Sequence, residues 1–294
     1  MSNIGKIILV VVVGITSLSL TGCGNEPRTE LTPVKKVCIE MMQQVPVYYE
    51  DFEFWDVGML RDDPDLSDMY QVWYDRKVEF LEQNYGLQST SVDYLGQGEG
   101  LLYIIVADYD IGTLRDRIRL DFYRDTSYED MEVWKSEQNI NGNWVLAEGL
   151  LIRGANVSNV DDYSKVSRGE ELSMYDKNAA ELLEKLPEGI MTRISRSSYP
   201  EGLILSGMSV DKEDQNTLRW TNVYQFESIE AAENTEVSEY FQGIEDSVAE
   251  SESESAKHGE SPPFRDFSLE RSGKSIEWSV LLDVQYMIAL LFYG

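Results

Sequence analysis

The chain has 294 residues, 42% of them hydrophobic, and sets 53 acidic side chains against 25 basic ones, a formal net charge of −28 with one histidine. That apolar content can fill a core, and a field of that sign repels phosphate backbones, which argues against nucleic-acid binding and favours cations or basic partners. The lone histidine, His258, lies in a Ser- and Glu-rich stretch with no scaffold to aim it, so Ser-His-Asp, Cys-His and histidine-metal chemistries are disfavoured.

In chain order, Lys6 precedes the apolar run Ile7 to Ile15, and small or polar residues then lead to Cys23, the order of a secretory signal. The run is too short to span a bilayer, which takes roughly 20 apolar residues. Leu20-Thr21-Gly22-Cys23 resembles the lipobox of bacterial lipoproteins. That resemblance implies cleavage between Gly22 and Cys23, loss of residues 1–22, and lipid on the Cys23 sulfur. The mature chain would then sit on the cell membrane or outer membrane, facing outside the cytoplasm. Several acyl chains make such an anchor durable, at about 0.8 kcal/mol per buried methylene. Residues 23–44 are expected to be the lipidated cysteine and its tether.

A first module is expected over 45–189. Val45 to Val57 is rich in Val, Tyr, Phe and Trp, as a strand should be. Asp63 and Pro64 open a helix whose apolar spacing runs from Leu66 to Leu81, with Gly86 as its stop. "GLLYIIVADYD" at 100–110 predicts a buried strand leading into a helix through Ile111, Leu114 and Ile118. Strands follow at Met131–Lys135 and Trp144–Ile152, joined by Asn141-Gly142-Asn143, and then helices at Val160–Val166 and Ala179–Leu186.

A smaller module is expected over 190–294, with strands at Ile190–Ser195, Leu203–Val210 and Thr217–Phe226 and a helix from Ile229 to Val248. Residues 245–263 hold Ser, Glu and Pro with few large apolar groups, which predicts a mobile acidic loop. Strands resume at Phe267–Arg271 and Ile276–Val284, and Val280–Tyr293 reads as a core strand followed by a short packed helix. The order predicts an α+β fold, with mainly antiparallel strands and helices packed on one face. Whether the two modules are related stays open, because no motif repeats.

"LLYIIVADYDIGTLRDRIR", "YEDMEVW", "WVLAEGLLIRGANVSNVDDY" and "LPEGI" together resemble a family of uncharacterised bacterial lipoproteins and secreted domains, over roughly 45–189. Asp130 stands where that family tends to have glycine. The resemblance implies a fold and a compartment, but no activity and no site residues.

Once Cys23 is acylated only Cys38 remains, which rules out an intramolecular disulfide and reads as a small core residue. No phosphate loop, dinucleotide turn or nucleophile elbow is present, and "GQGEG" at 96–100 reads as a spaced glycine loop. Calcium could use Asp62, Asp63, Asp65 and Asp68, or Asp211, Glu213, Asp214 and Asn216, but neither group has the D-x-[DN]-x-[DN]-G pattern. No catalytic residue, metal or cofactor is assigned. The expected function is non-enzymatic binding of a solute or an envelope component by a lipoprotein. A carboxylate-dependent glycan hydrolase and a structural module meeting a basic partner protein are the alternatives, and a pocket holding two acids about 5 to 10 Å apart would mark the hydrolase.

Overall fold

The computed structural model describes residues 31–99, 102–128, 131–136, 142–155, 157–196, 200–258 and 261–293. Gly22 and Cys23 lie outside them. The first half of the described chain runs α1 (Pro33–Met42), β1 (Asp51–Asp56), α2 (Val57–Asp62), α3 (Ser67–Lys77), α4 (Glu79–Tyr85), β2 (Val92–Gly98), β3 (Leu102–Ala107), α5 (Ile111–Ile118), β4 (Phe122–Asp125), β5 (Glu132–Ser136), β6 (Asn143–Ala147), β7 (Leu150–Gly154) and α6 (Val157–Ser167). The second runs α7 (Lys177–Lys185), β8 (Met191–Ser195), β9 (Leu203–Lys212), β10 (Thr217–Phe226), α8 (Ile229–Ala232), α9 (Thr235–His258), β11 (Phe264–Ser272), β12 (Ser275–Asp283) and α10 (Val284–Tyr293).

The strands form one 12-stranded antiparallel sheet, ordered β11-β12-β10-β9-β8-β1-β2-β3-β7-β6-β5-β4. Read outward from the central β1–β8 pair, the two sides match: β1, β2, β3, β7, β6 on one, β8, β9, β10, β12, β11 on the other. Each side starts from a helix (α1 or α7), runs a meander of three strands, crosses by a helix (α5 or α9), and returns a hairpin beside the third strand. The glycines carry the same relation. Phe54 pairs with Gly96, and Ile194, the residue placed like Phe54 on the other side, pairs with Gly207.

Alternation along the strands feeds two apolar cores on opposite faces of the sheet. Trp55, Ile105, Leu151 and Met191 face α2–α5 and α8–α10, whereas Phe54, Ile104, Ile152 and Ile194 face α1, α6 and α7. The fold is α+β and antiparallel, with helices on both faces where cover on one was expected. The reason is visible in strands such as β6, where Trp144, Val145 and Leu146 are buried in succession, leaving no face polar enough for water.

Three further expectations differ from the structure. Residues 33–42, read as tether, form α1. Thr32 caps it, Pro33 occupies its first turn, and Cys38, Met41 and Met42 are buried beneath it. "GQGEG" is largely strand: Gly96 and Gly98 belong to β2, where side chains would meet Met41 and Tyr49 at about 3.0 Å, so the glycines let α1 and the following turn close on the sheet. Most of the stretch read as a mobile loop is helix, since α9 continues to His258. Val237 and Phe241 root it in the core, and helix propagates from a packed root through Glu, Ala and Lys more readily than it nucleates.

Candidate functional site

The register places one residue from each strand in a single row across the face covered by α2–α5. On the first side the row reads Glu53, Gln97, Tyr103, Arg153, Trp144, Trp134 and Arg124; on the second it reads Arg193, Met208, Asn222, Trp278 and Leu269. Between β1 and β2 the chain inserts α2–α4 above this row. The α3 and α4 helices are separated at Val78, which leaves helical geometry at φ −124° and ψ −26°, and α4 ends at Gly86 with φ +70°, a conformation that favours glycine.

That break brings two side chains down onto the row. Lys77 Nζ donates to Glu53 Oε1 at 2.8 Å and to Gln97 Oε1 at 2.7 Å, and Trp55 Nε1 donates to the same Glu53 oxygen at 2.5 Å. The carboxylate therefore receives two donors on one oxygen. On the far side of Tyr103, the Arg153 guanidinium carbon lies 4.9 Å from the ring centre of Phe80, 5.7 Å from Trp144 and 5.8 Å from Tyr103. Arg153 is half-buried, forms no ion pair among the described residues, and its buried Nε has no hydrogen-bond partner. Burial pushes its pKa below the ordinary arginine value, with only Tyr85 and Tyr103 opposing the shift.

Tyr85 joins this cage to a cleft. Its ring centre lies 4.7 Å from that of Trp144, and it also lines an open depression of about 210 Å³ with Ser91, Asp108, Tyr109, Asp110 and Thr113. Small-molecule sites typically enclose 300 Å³ or more. The cleft holds two acids, but Asp110 serves as the cap of α5. It accepts from the Thr113 hydroxyl and the Gly112 N–H, both at 2.8 Å, and these donors hold its pKa below the usual aspartate value. That is the opposite of what a general acid requires. Tyr109, between them, is engaged with the Ala147 and Leu150 carbonyl oxygens at 2.5 and 3.0 Å.

The residues weighed from the sequence are not brought into one site. Cys38 is buried under α1, where desolvation pushes its thiol up to about 12, far from a reactive thiolate. His258 is exposed at the end of α9. Of the first acidic group, Asp63 and Asp65 both engage Lys212 Nζ at 2.6 Å, Arg61 meets Asp62 at 2.8 Å, and Asp68 accepts from Gln285 at 2.7 Å. In the second, Glu213 pairs with Arg219 at 3.0 Å and Asp214 accepts from the Asn216 N–H. Among the described residues no three His, Cys, Asp or Glu side chains converge as a metal site, and no helix is long and apolar enough to cross a membrane. Arg153 escaped notice because its environment is set by pairing across strands; "LIRG", one cation inside an apolar strand, was the available signal.

No family model matches the sequence, and no curated protein is similar to it. Among solved structures, crystal form I of TP0453 is similar at a TM-score of 0.52 and 6% sequence identity, covering 86% of this chain and 98% of that one. At that identity the likeness speaks to the fold alone.

Proposed function

We propose that this protein is a lipid-anchored binding protein of the cell envelope, facing outside the cytoplasm, that recognises a solute or another envelope component without transforming it. The observation that carries the reading is Leu20-Thr21-Gly22-Cys23 behind a short apolar run with a basic residue before it. Binding is favoured over glycan hydrolysis by the state of the cleft, whose Asp110 is tied up as a helix cap with a lowered pKa. The partner-protein reading draws on α9, where Glu245, Asp246, Glu250, Glu252 and Glu254 follow one another with Lys257 and His258 only at the end, a surface suited to a basic partner.

Metabolic labelling with an alkyne fatty acid tests the anchor. Wild type should be marked and membrane-bound, and Cys23→Ser unmarked and released; a wild-type protein that is unmarked and retains residues 1–22 overturns the reading. Affinity capture of the labelled protein from native membranes then separates a solute from a protein partner.

A further inference from the structure

We propose that Arg153 is the seat of an anion site that takes the carboxylate of a small apolar organic acid, the body of the ligand lying against Phe80 and Tyr103. This names the ligand class of the solute-binding reading and rests on it.

The first support is a contrast among cations. Lys77 meets Glu53 at 2.8 Å, Arg115 meets Glu132 at 2.6 Å, Lys135 meets Asp125 at 3.1 Å and Lys212 meets Asp63 at 2.6 Å. Arg153 sits among 53 acidic side chains, yet has neither ion pair nor hydrogen bond among the described residues. A buried Nε without a partner costs stability, and the fold alone does not account for it. Aromatic faces offset part of that cost but leave the guanidinium donors unfilled.

Those donors form a planar fork that matches a carboxylate in two parallel hydrogen bonds. Access is provided by Phe80, which is 46% exposed and lies on the first turn of α4 beside the break at Val78, whereas Trp144 is fully buried and fixed. The acidic field of the chain disfavours multiply charged anions such as phosphate. A single carboxylate with an apolar body meets less repulsion and gains from burial against the rings.

The test is calorimetric titration of the full-length lipoprotein in detergent with phenylacetate, with benzyl alcohol and inorganic phosphate as controls, alongside thermal melts. Phenylacetate should bind saturably and the two controls should not. Arg153→Met should weaken phenylacetate at least tenfold and raise the melting temperature of the ligand-free protein, because it removes an unpaired charge. Arg153→Lys should keep weakened binding. Absence of wild-type binding overturns the site, as does equal affinity in Arg153→Met. A lower melting temperature for Arg153→Met assigns the residue to packing and also overturns the site, and phosphate binding that depends on Arg153 overturns the ligand class. None of these failures touches acylation of Cys23 or capture of a different solute, so the anchored binding protein stands or falls separately.

Discussion

The two sides of the sheet share a plan and differ in what lies over their central row. On the first, α2–α4 are inserted between β1 and β2 and set Lys77 and Phe80 above Glu53, Gln97, Tyr103 and Arg153. On the second, β8 leads to β9 without an intervening helix, and the positions equivalent to Gln97, Tyr103, Arg153 and Trp144 are Met208, Asn222, Trp278 and Leu269. Where the first side holds a guanidinium among aromatics, the second packs Trp278 against Trp220, with ring centres 5.3 Å apart. A shared frame thus gathers a cation and an ion pair under helices where an insertion brings side chains to it.

The largest effect that would sharpen this contrast comes from Trp144 in the row. Trp144 is fully buried against Tyr85 and Phe122, so Trp144→Ala should cost about 3 to 5 kcal/mol in urea unfolding. Leu269, its counterpart on the half-open β11 edge, should cost less than about 2 kcal/mol as Leu269→Ala. Equal losses would break the claim that the first side carries the denser packing.

The paired glycines come next. A Cβ at Gly207 would meet Leu186 at 2.6 Å and Leu182 at 2.9 Å, whereas one at Gly96 would meet the flexible Met41 sulfur at 3.0 Å and Phe52 at 3.1 Å. Gly207→Ala should therefore destabilise by about 1 to 3 kcal/mol and Gly96→Ala by less, both read from the same denaturant midpoint shifts. If Gly207→Ala were neutral, close helix approach would not be what these positions share.

Lys77→Met has no counterpart on the second side. It leaves the half-buried Glu53 with the Trp55 N–H alone, and a loss of about 1 to 2 kcal/mol is expected at neutral pH. A double-mutant cycle with Glu53→Gln distinguishes this from lost packing, which would leave the two substitutions additive.

The smallest effect concerns the crossover helices. Arg115 on α5 grips Glu132 with two bonds of 2.6 Å, and the guanidinium, foremost, holds the Glu132 pKa below the usual glutamate value. A lowered carboxylate pKa stabilises the fold fully above about pH 4.5, the unfolded value, and this contribution is lost as pH falls through the folded pKa. Glu132→Gln should cost about 0.5 to 1 kcal/mol at pH 7, discounted because Arg115 is 41% exposed, and the cost should vanish in acid. On the second side Arg271 donates to the Ala232 carbonyl at the end of α8 and lies over Phe241 of α9 without an acid between them, so Phe241→Ala should show no such acid dependence.

Legibility in the sequence followed the range of the interactions. The strands β3, β5 and β12 stand out because each buries Val, Ile, Leu or Trp in close or alternating succession that local pattern displays. The β2 strand did not, because its alternate glycines serve a helix from elsewhere in the chain. Likewise α1 was hidden by the polar residues before it, although Thr32 and Pro33 mark its start. The row itself could not be read in advance: which residue stands opposite Arg153 depends on pairing between β3, β7 and β6, and the position of Phe80 depends on a helix break that no proline or glycine announces. The matching strand order of the two sides was equally hidden, since it shows in strand pairing and in Gly96 and Gly207 rather than in any repeated motif.

The strand pair at the centre of the sheet joins segments separated by the whole of the first half. While the chain is being synthesised, β1 has β2 along one edge and nothing along the other until β8 arrives. Nascent chains of this design carry an exposed strand edge for the time it takes to make everything between them, and closing so distant a pair is slow. Zippering of β8 onto β1 is thus the step that ends the period of greatest risk, and a helper that shields a bare strand would act at that seam before anywhere else.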